Sequence, residues 1–140
     1  RKSKMANRVI AAMGGSIADV SIAILGLAFK PETDDMRDSP SLDIVSALTA
    51  MGAKLRVYDP KAMEEAKPLL PCGVTFCDSA IECLKGAEAA VVVTEWNEFR
   101  ALEPAQFATE MTGNVLVDLR NVYEPSVMRE AGFHYVSIGR

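Results

Sequence analysis

Residues 22–28 read Ile-Ala-Ile-Leu-Gly-Leu-Ala, an unbroken apolar run that gives way to Phe29 and Lys30, a polar loop, and then Ser39-Pro-Ser. A run of this length with no polar alternation suits a strand buried on both faces, as in parallel sheets. Gly26 near its end lets the backbone pass close to a neighbour or a ligand. Ser39 is a good helix N-cap, Pro40 suits the first turn, and a proline biases the residue before it toward the extended state a cap needs. A strand therefore leads into a loop, and the loop into a helix N-terminus whose free N–H groups and dipole favour an anion. Lys30 and Arg37 sit at the two ends of that loop.

The rest of the chain repeats the alternation. Strands are expected at 20–28, 54–58, 74–77, 88–94, 115–119 and 135–138, the last at an edge. Helices are expected at 41–51, 62–70, 79–85, 104–111 and 125–131. Residues 88–94, with Ala-Ala-Val-Val-Val, are the clearest central strand. Strands separated by helices of this length imply right-handed crossovers and a parallel sheet covered on both sides. The expected fold is α/β: a Rossmann-like, doubly wound, mainly parallel six-stranded sheet with helices on both faces. No internal repeat or second domain boundary is visible, and 140 residues suit one domain with a sizeable core.

Composition narrows the function. The chain is 49% hydrophobic and 24% charged, as a soluble globular domain is, and its net charge of −4 argues against general affinity for nucleic acid or membrane surfaces. No apolar run approaches the roughly 20 residues of a membrane span. Cys72, Cys77 and Cys83 have no metal spacing and cannot all pair, so they read as reduced thiols of a cytosolic, cytoplasmic protein. Residues 1–8 carry four basic groups and no acid, yet the apolar stretch after them is too short for a secretory signal. They read instead as the tail of a helix with Met5, Val9, Ala12 and Met13 on one side, ended by Gly14-Gly15. With no N-cap and no initiating methionine, that helix is expected to belong to a longer chain.

Ligands of doubly wound sheets bind at the carboxyl ends of the strands, near the point where strand order reverses. Lys30 follows the first strand, Asp59 the second, Glu95 the fourth and Arg120 the fifth, so these polar groups are expected on one rim. A dinucleotide fingerprint needs G-x-G-x-x-G in a tight turn after the first strand. This chain has Gly26-Leu-Ala-Phe-Lys-Pro, one glycine and a long loop, and should not bind a dinucleotide in the usual way. Asp59 either meets a ribose or, with Pro60, turns the chain and caps the next helix. Lys30 and Arg37 either meet a ligand or pair with Glu32, Asp34, Asp35 or Asp38. Trp96 and Phe99 either pack over the sheet end or line a pocket. Asp118 is expected to hold Arg120 or a backbone amide. His134, away from the rim, reads as structural, and Met5, Met13, Met51, Met63, Met111 and Met128 as core filler.

The segment from Gly26 to Pro40, Gly-Leu-Ala-Phe-Lys-Pro-Glu-Thr-Asp-Asp-Met-Arg-Asp-Ser-Pro, closely resembles a signature of the UDP-glucose/GDP-mannose dehydrogenase family. The resemblance continues through Tyr58-Asp-Pro60, Thr94-Glu-Trp-Asn-Glu-Phe-Arg100, Val117-Asp-Leu-Arg-Asn-Val-Tyr123 and Ser137-Ile-Gly-Arg140. It implies the C-terminal, nucleotide-sugar-binding domain of an enzyme that uses NAD to oxidise a sugar nucleotide twice, from alcohol to carboxylate. It also implies that Phe29, Lys30 and Arg120 contact the substrate, and that Arg37 reaches NAD bound by a separate N-terminal domain. The Thr-Glu-Trp form resembles members acting on UDP-glucose more than those acting on UDP-N-acetylmannosamine or GDP-mannose. Family members often carry glycine where this chain has Leu119, which bears on the backbone beside Arg120. The catalytic cysteine motif of the family, of Gly-Gly-Ser-Cys-Phe type, has no match here, so the 140 residues alone are expected to be inactive. On this reading residues 1–15 are the remnant of an interdomain helix and 16–140 the UDP-sugar-binding domain. Its partners are the N-terminal and central domains, and the parent is a homodimer or larger. The alternatives are the same domain of an enzyme with another hexose or nucleotide, or a silent module that serves assembly.

Overall fold

A computed structural model describes residues 2–138; Arg1 and the Gly139-Arg140 end of the last motif lie outside the described residues. Six strands form one sheet, all parallel: β1 (Ser21–Leu25), β2 (Lys54–Tyr58), β3 (Thr75–Phe76), β4 (Ala89–Val92), β5 (Val115–Asp118) and β6 (His134–Ser137). Their order across the sheet is β3-β2-β1-β4-β5-β6. The chain winds outward from β1 in one direction, then returns and winds from β4 in the other, so the switch point lies between β1 and β4.

The helices are α1 (Lys2–Ala12), α2 (Pro40–Ala50), α3 (Met63–Ala66), α4 (Ala80–Leu84), α5 (Asn97–Arg100), α6 (Pro104–Glu110) and α7 (Pro125–Glu130). Strand side chains divide by alternation. Ile22, Ile24, Leu55, Val57, Val91 and Val117 join one core with Val9 of α1, Ile44 and Leu48 of α2 and Ala66 of α3. Ala23, Leu25, Ala90, Val92 and Leu116 join the other with Leu84, Phe99, Phe107 and Met128 of α4 to α7. Both faces being apolar is why β1 and β4 show no polar alternation in sequence. Helix α1 packs beside α2 and against β5, with Ala6 and Val9 fully buried. Burying a valine of that kind contributes about 1.5–3 kcal/mol.

Three expectations change. The helix expected over 62–70 is one turn, because Pro68 removes a donor and disfavours helical geometry before it. A short helix, α5, forms where none was expected. Met51, read as core, is 45% exposed at the C-cap of α2. Among the described residues no helix is long and apolar enough to cross a membrane.

Candidate functional site

The carboxyl ends of β1 and β4 are clasped. Gly26 has φ of 101°, and a Cβ there would lie 2.6 Å from the Thr94 amide nitrogen and side chain. Its close neighbour is thus protein. Thr94 Oγ1 donates to the Ala28 carbonyl at 2.7 Å, and the hydroxyls of Ser39 and Ser41 donate to the Leu27 carbonyl at 2.6 and 2.7 Å. Ser39 does cap α2, but with Ser41 it is fully buried, and Asp43 occupies the first turn. That helix N-terminus is occupied by its own buried serines, with Asp43 in its first turn.

Asp59, buried at the end of β2, joins three strand ends. Its Oδ2 accepts from the amides of Leu27 and Ala28 and from Trp96 Nε1, at 2.7, 2.9 and 3.2 Å. Its Oδ1 accepts from the amides of Lys61 and Ala62, both at 2.8 Å. Of its readings the structure shows the turn; the cap of α3 is Ala62, without a side-chain bond, so Asp59 does not cap that helix. Trp96 and Phe99 are buried and pack over the sheet end.

Beyond the clasp the loop opens to solvent. Phe29 is 44% exposed, and Lys30 is exposed beside it with no ion pair among the described residues. The Phe29 amide donates to the Asp35 carbonyl, and Glu32 and Asp38 adopt left-handed backbone that bends the loop. Arg37, fully solvated at its tip, forks onto Asp35 through Nε and Nη2, both at 3.0 Å. The fork holds the Asp35 carboxyl down to about 2 and raises the guanidinium in turn. Arg37 lines a cleft of about 660 Å³ with Met36, Leu42, Glu65 and Leu69, on the α2–α3 side of the loop.

Arg120 stands on the other side of the switch point. Its amide donates to Asp118 Oδ1, while Asp118 Oδ2 accepts from the amides of Val122 and Tyr123 and from the Tyr135 hydroxyl. Asp118 therefore has the backbone-holding role expected of it. Arg120 Nη2 donates to Glu95 Oε2 at 3.0 Å, with about a third of each side chain exposed. Burial pushes the Glu95 carboxyl up, but the Arg120 guanidinium and the Glu95 amide together more than offset this and leave it below its ordinary value. Leu119 is buried in the core and has no left-handed backbone, so its side chain is accommodated without the backbone freedom of a glycine. The structure brings Phe29, Lys30, Glu95 and Arg120 to one edge and turns Arg37 toward a separate cleft. Glu95 was visible only as the acid after the fourth strand, and its hold on Arg120 was missed.

The sequence model of the UDP-glucose/GDP-mannose dehydrogenase family, UDP binding domain, matches residues 23–125. The chain belongs to this family. It is 48% identical over its whole length to a UDP-glucose 6-dehydrogenase of Rhizobium meliloti, of which it covers 32%. It is 38% identical over 90% of its length to the UDP-glucose 6-dehydrogenase YwqF of Bacillus subtilis, covering 29% of that protein. The chain thus spans about a third of the length of these curated relatives. Among solved structures, an NDP-N-acetyl-D-galactosaminuronic acid dehydrogenase of Methanosarcina mazei superposes with a TM-score of 0.82 at 30% identity, over 99% of this chain and 29% of that one. A UDP-glucose dehydrogenase of Pyrobaculum islandicum gives 0.76 at 30% identity, over 96% of this chain and 29% of that one.

NAD, which the family resemblance implies, does not fit the usual dinucleotide position in this domain. The tight glycine turn is replaced by a long loop. Asp59, the acid that would meet a ribose, has both oxygens engaged by five donors of the protein itself.

Proposed function

We propose that this chain is the C-terminal nucleotide-sugar-binding domain of a cytoplasmic, NAD-dependent UDP-glucose 6-dehydrogenase, which oxidises UDP-glucose to UDP-glucuronate. The observation that carries the reading is that Phe29 and Lys30, after β1, and Arg120, after β5, share the carboxyl edge that flanks the β1/β4 switch point. A lysine without an ion pair is a point charge suited to a diphosphate, while a planar guanidinium bridges several sugar or base acceptors. The exposed ring of Phe29 supplies an apolar face beside them. Arg37, on the far side of the loop, is offered to NAD held by the N-terminal domain. Helix α1 is the remnant of an interdomain helix, and the parent enzyme is a homodimer or larger. The catalytic cysteine and the coenzyme fold belong to the N-terminal and central domains, so the 140 residues bind without turning over.

UDP-glucose is preferred over other nucleotide sugars because the relatives of highest identity given above are named for it and the Thr94-Glu-Trp96 form agrees. Calorimetric titration with UDP-glucose, UDP, UDP-N-acetylmannosamine, GDP-mannose and NAD tests the reading. Saturable binding of uridine nucleotides, weakened in Lys30→Ala and absent for NAD, is the expected result. Preference for guanosine would move the chain to another branch of the family. Dimerisation with silence toward every nucleotide, in the intact protein as well, would leave an assembly module.

A further inference from the structure

Glu95 and Arg120 come from the ends of adjacent strands, and the backbone on each side is fixed independently of their contact. Asp118 holds the Arg120 amide, and Thr94, next to Glu95, is bonded to Ala28. Their side chains meet through a single N–H, Nη2 to Oε2 at 3.0 Å. The other carboxylate oxygen, Oε1, is buried with no hydrogen-bond partner. A pair with one desolvated oxygen left over is poorly built for stability. It is well built for geometry, since Nε, Nη1 and the second Nη2 hydrogen remain for another acceptor. An arginine restrained before its ligand arrives also loses less side-chain freedom on binding.

We propose that Glu95 is a positioning residue that holds the Arg120 guanidinium preorganised for neutral oxygen acceptors of a nucleotide sugar. Its carboxylate balances the guanidinium charge, so Arg120 is suited to hydroxyl or base oxygens and Lys30, without an ion pair, to the diphosphate. The inference rests on the reading of Arg120 as a ligand contact, and the test separates the two.

The experiment is a double-mutant cycle, Glu95→Ala and Arg120→Ala alone and together, read by UDP-glucose affinity and salt dependence in the intact protein. Glu95→Ala should weaken binding about tenfold, within the coupling range of contacting residues. It should add nothing in the Arg120→Ala background. Glu95→Gln, which keeps an acceptor, should retain most of the affinity. Lys30→Ala should flatten the salt dependence, and the Glu95 variants should not. Equal effects of Glu95→Ala in both backgrounds would overturn the proposal, showing a merely structural residue. Tighter binding in Glu95→Ala would also overturn it, showing a competitor for the ligand. An Arg120→Ala variant with unchanged affinity would defeat the underlying reading of Arg120, and the inference with it.

Discussion

Trp96 Nε1 donates to Asp59 Oδ2 at 3.2 Å, and the same oxygen takes the amides of Leu27 and Ala28. One buried carboxylate therefore ties the ends of β1, β2 and β4 together beneath Phe29 and Lys30. Asp59→Ala leaves several buried donors unpaired at once, each costly without water. We expect a loss on the order of 3 kcal/mol in urea unfolding, with a shift in emission of the single tryptophan. Asp59→Asn should fall between. A loss under about 1 kcal/mol would mean that water or a shifted backbone replaces the carboxylate.

Gly26 is required by its neighbour. Alanine there meets the Thr94 backbone at 2.6 Å and must adopt φ near 101°, a region L-residues avoid. Steric overlap and backbone strain together should cost Gly26→Ala about 3 kcal/mol, or on the order of 10 °C in Tm. Thr94→Gly removes the Cβ and Oγ1 that the new methyl would meet and leaves only the amide nitrogen. If Gly26→Ala cost less than half as much in that background, side-chain crowding would outweigh the strain.

How far such contacts could be read from the chain depends on what sets them. The uniform apolarity of residues 22–28 and 89–93 implies strands buried twice over, and the layers follow from that. Asp59-Pro60 reads as a turn because the carboxylate lies next to the Lys61 and Ala62 amides it accepts, whereas the Leu27 and Ala28 amides come from the end of another strand. The Glu95–Arg120 contact spans 25 residues. It depends on the β4–β5 register, which sets Val92 against Asp118 and carries Glu95 toward Arg120. Nothing periodic in the sequence encodes that register. Arg37 had four acids within reach along the loop. The Arg37 amide donates to Asp35 Oδ1 two residues back, a local turn, and the guanidinium forks onto the same carboxylate; the residue types alone do not say which of the four acids makes it.

The Asp35–Arg37 fork has a pH signature. Hydrogen bonding from the Arg37 side chain and amide holds the Asp35 carboxyl down to about 2, against 3.8 ordinarily. A depressed carboxylate contributes order above its unfolded pKa and loses it as pH falls through the folded value, here between about 4 and 2. NMR titration should place the Asp35 midpoint near 2, and Arg37→Ala should return it toward the ordinary value. Both groups lie at the surface, so the effect belongs to the loop and not to global unfolding. A midpoint already near 3.8 in the wild type would show that the fork is open in solution.

Cys77 and Cys83 oppose acidity to access. Hydrogen bonding from Cys83 lowers the Cys77 thiol, while the same contact and burial raise Cys83. By acidity Cys77 should be the first to react, because the thiolate is the nucleophile. It is only 2% exposed, whereas Cys72 lies at the surface. A reagent must wait for Cys77 to be uncovered, so access decides. We expect iodoacetamide at pH 8 to label Cys72 alone in the folded protein, with Cys77 and Cys83 labelled at least about a hundredfold more slowly. Peptide mapping against Cys72→Ser checks the assignment. Labelling of Cys77 at a rate near that of Cys72 would show that β3, the two-residue edge strand before it, opens locally while the rest of the sheet stays folded.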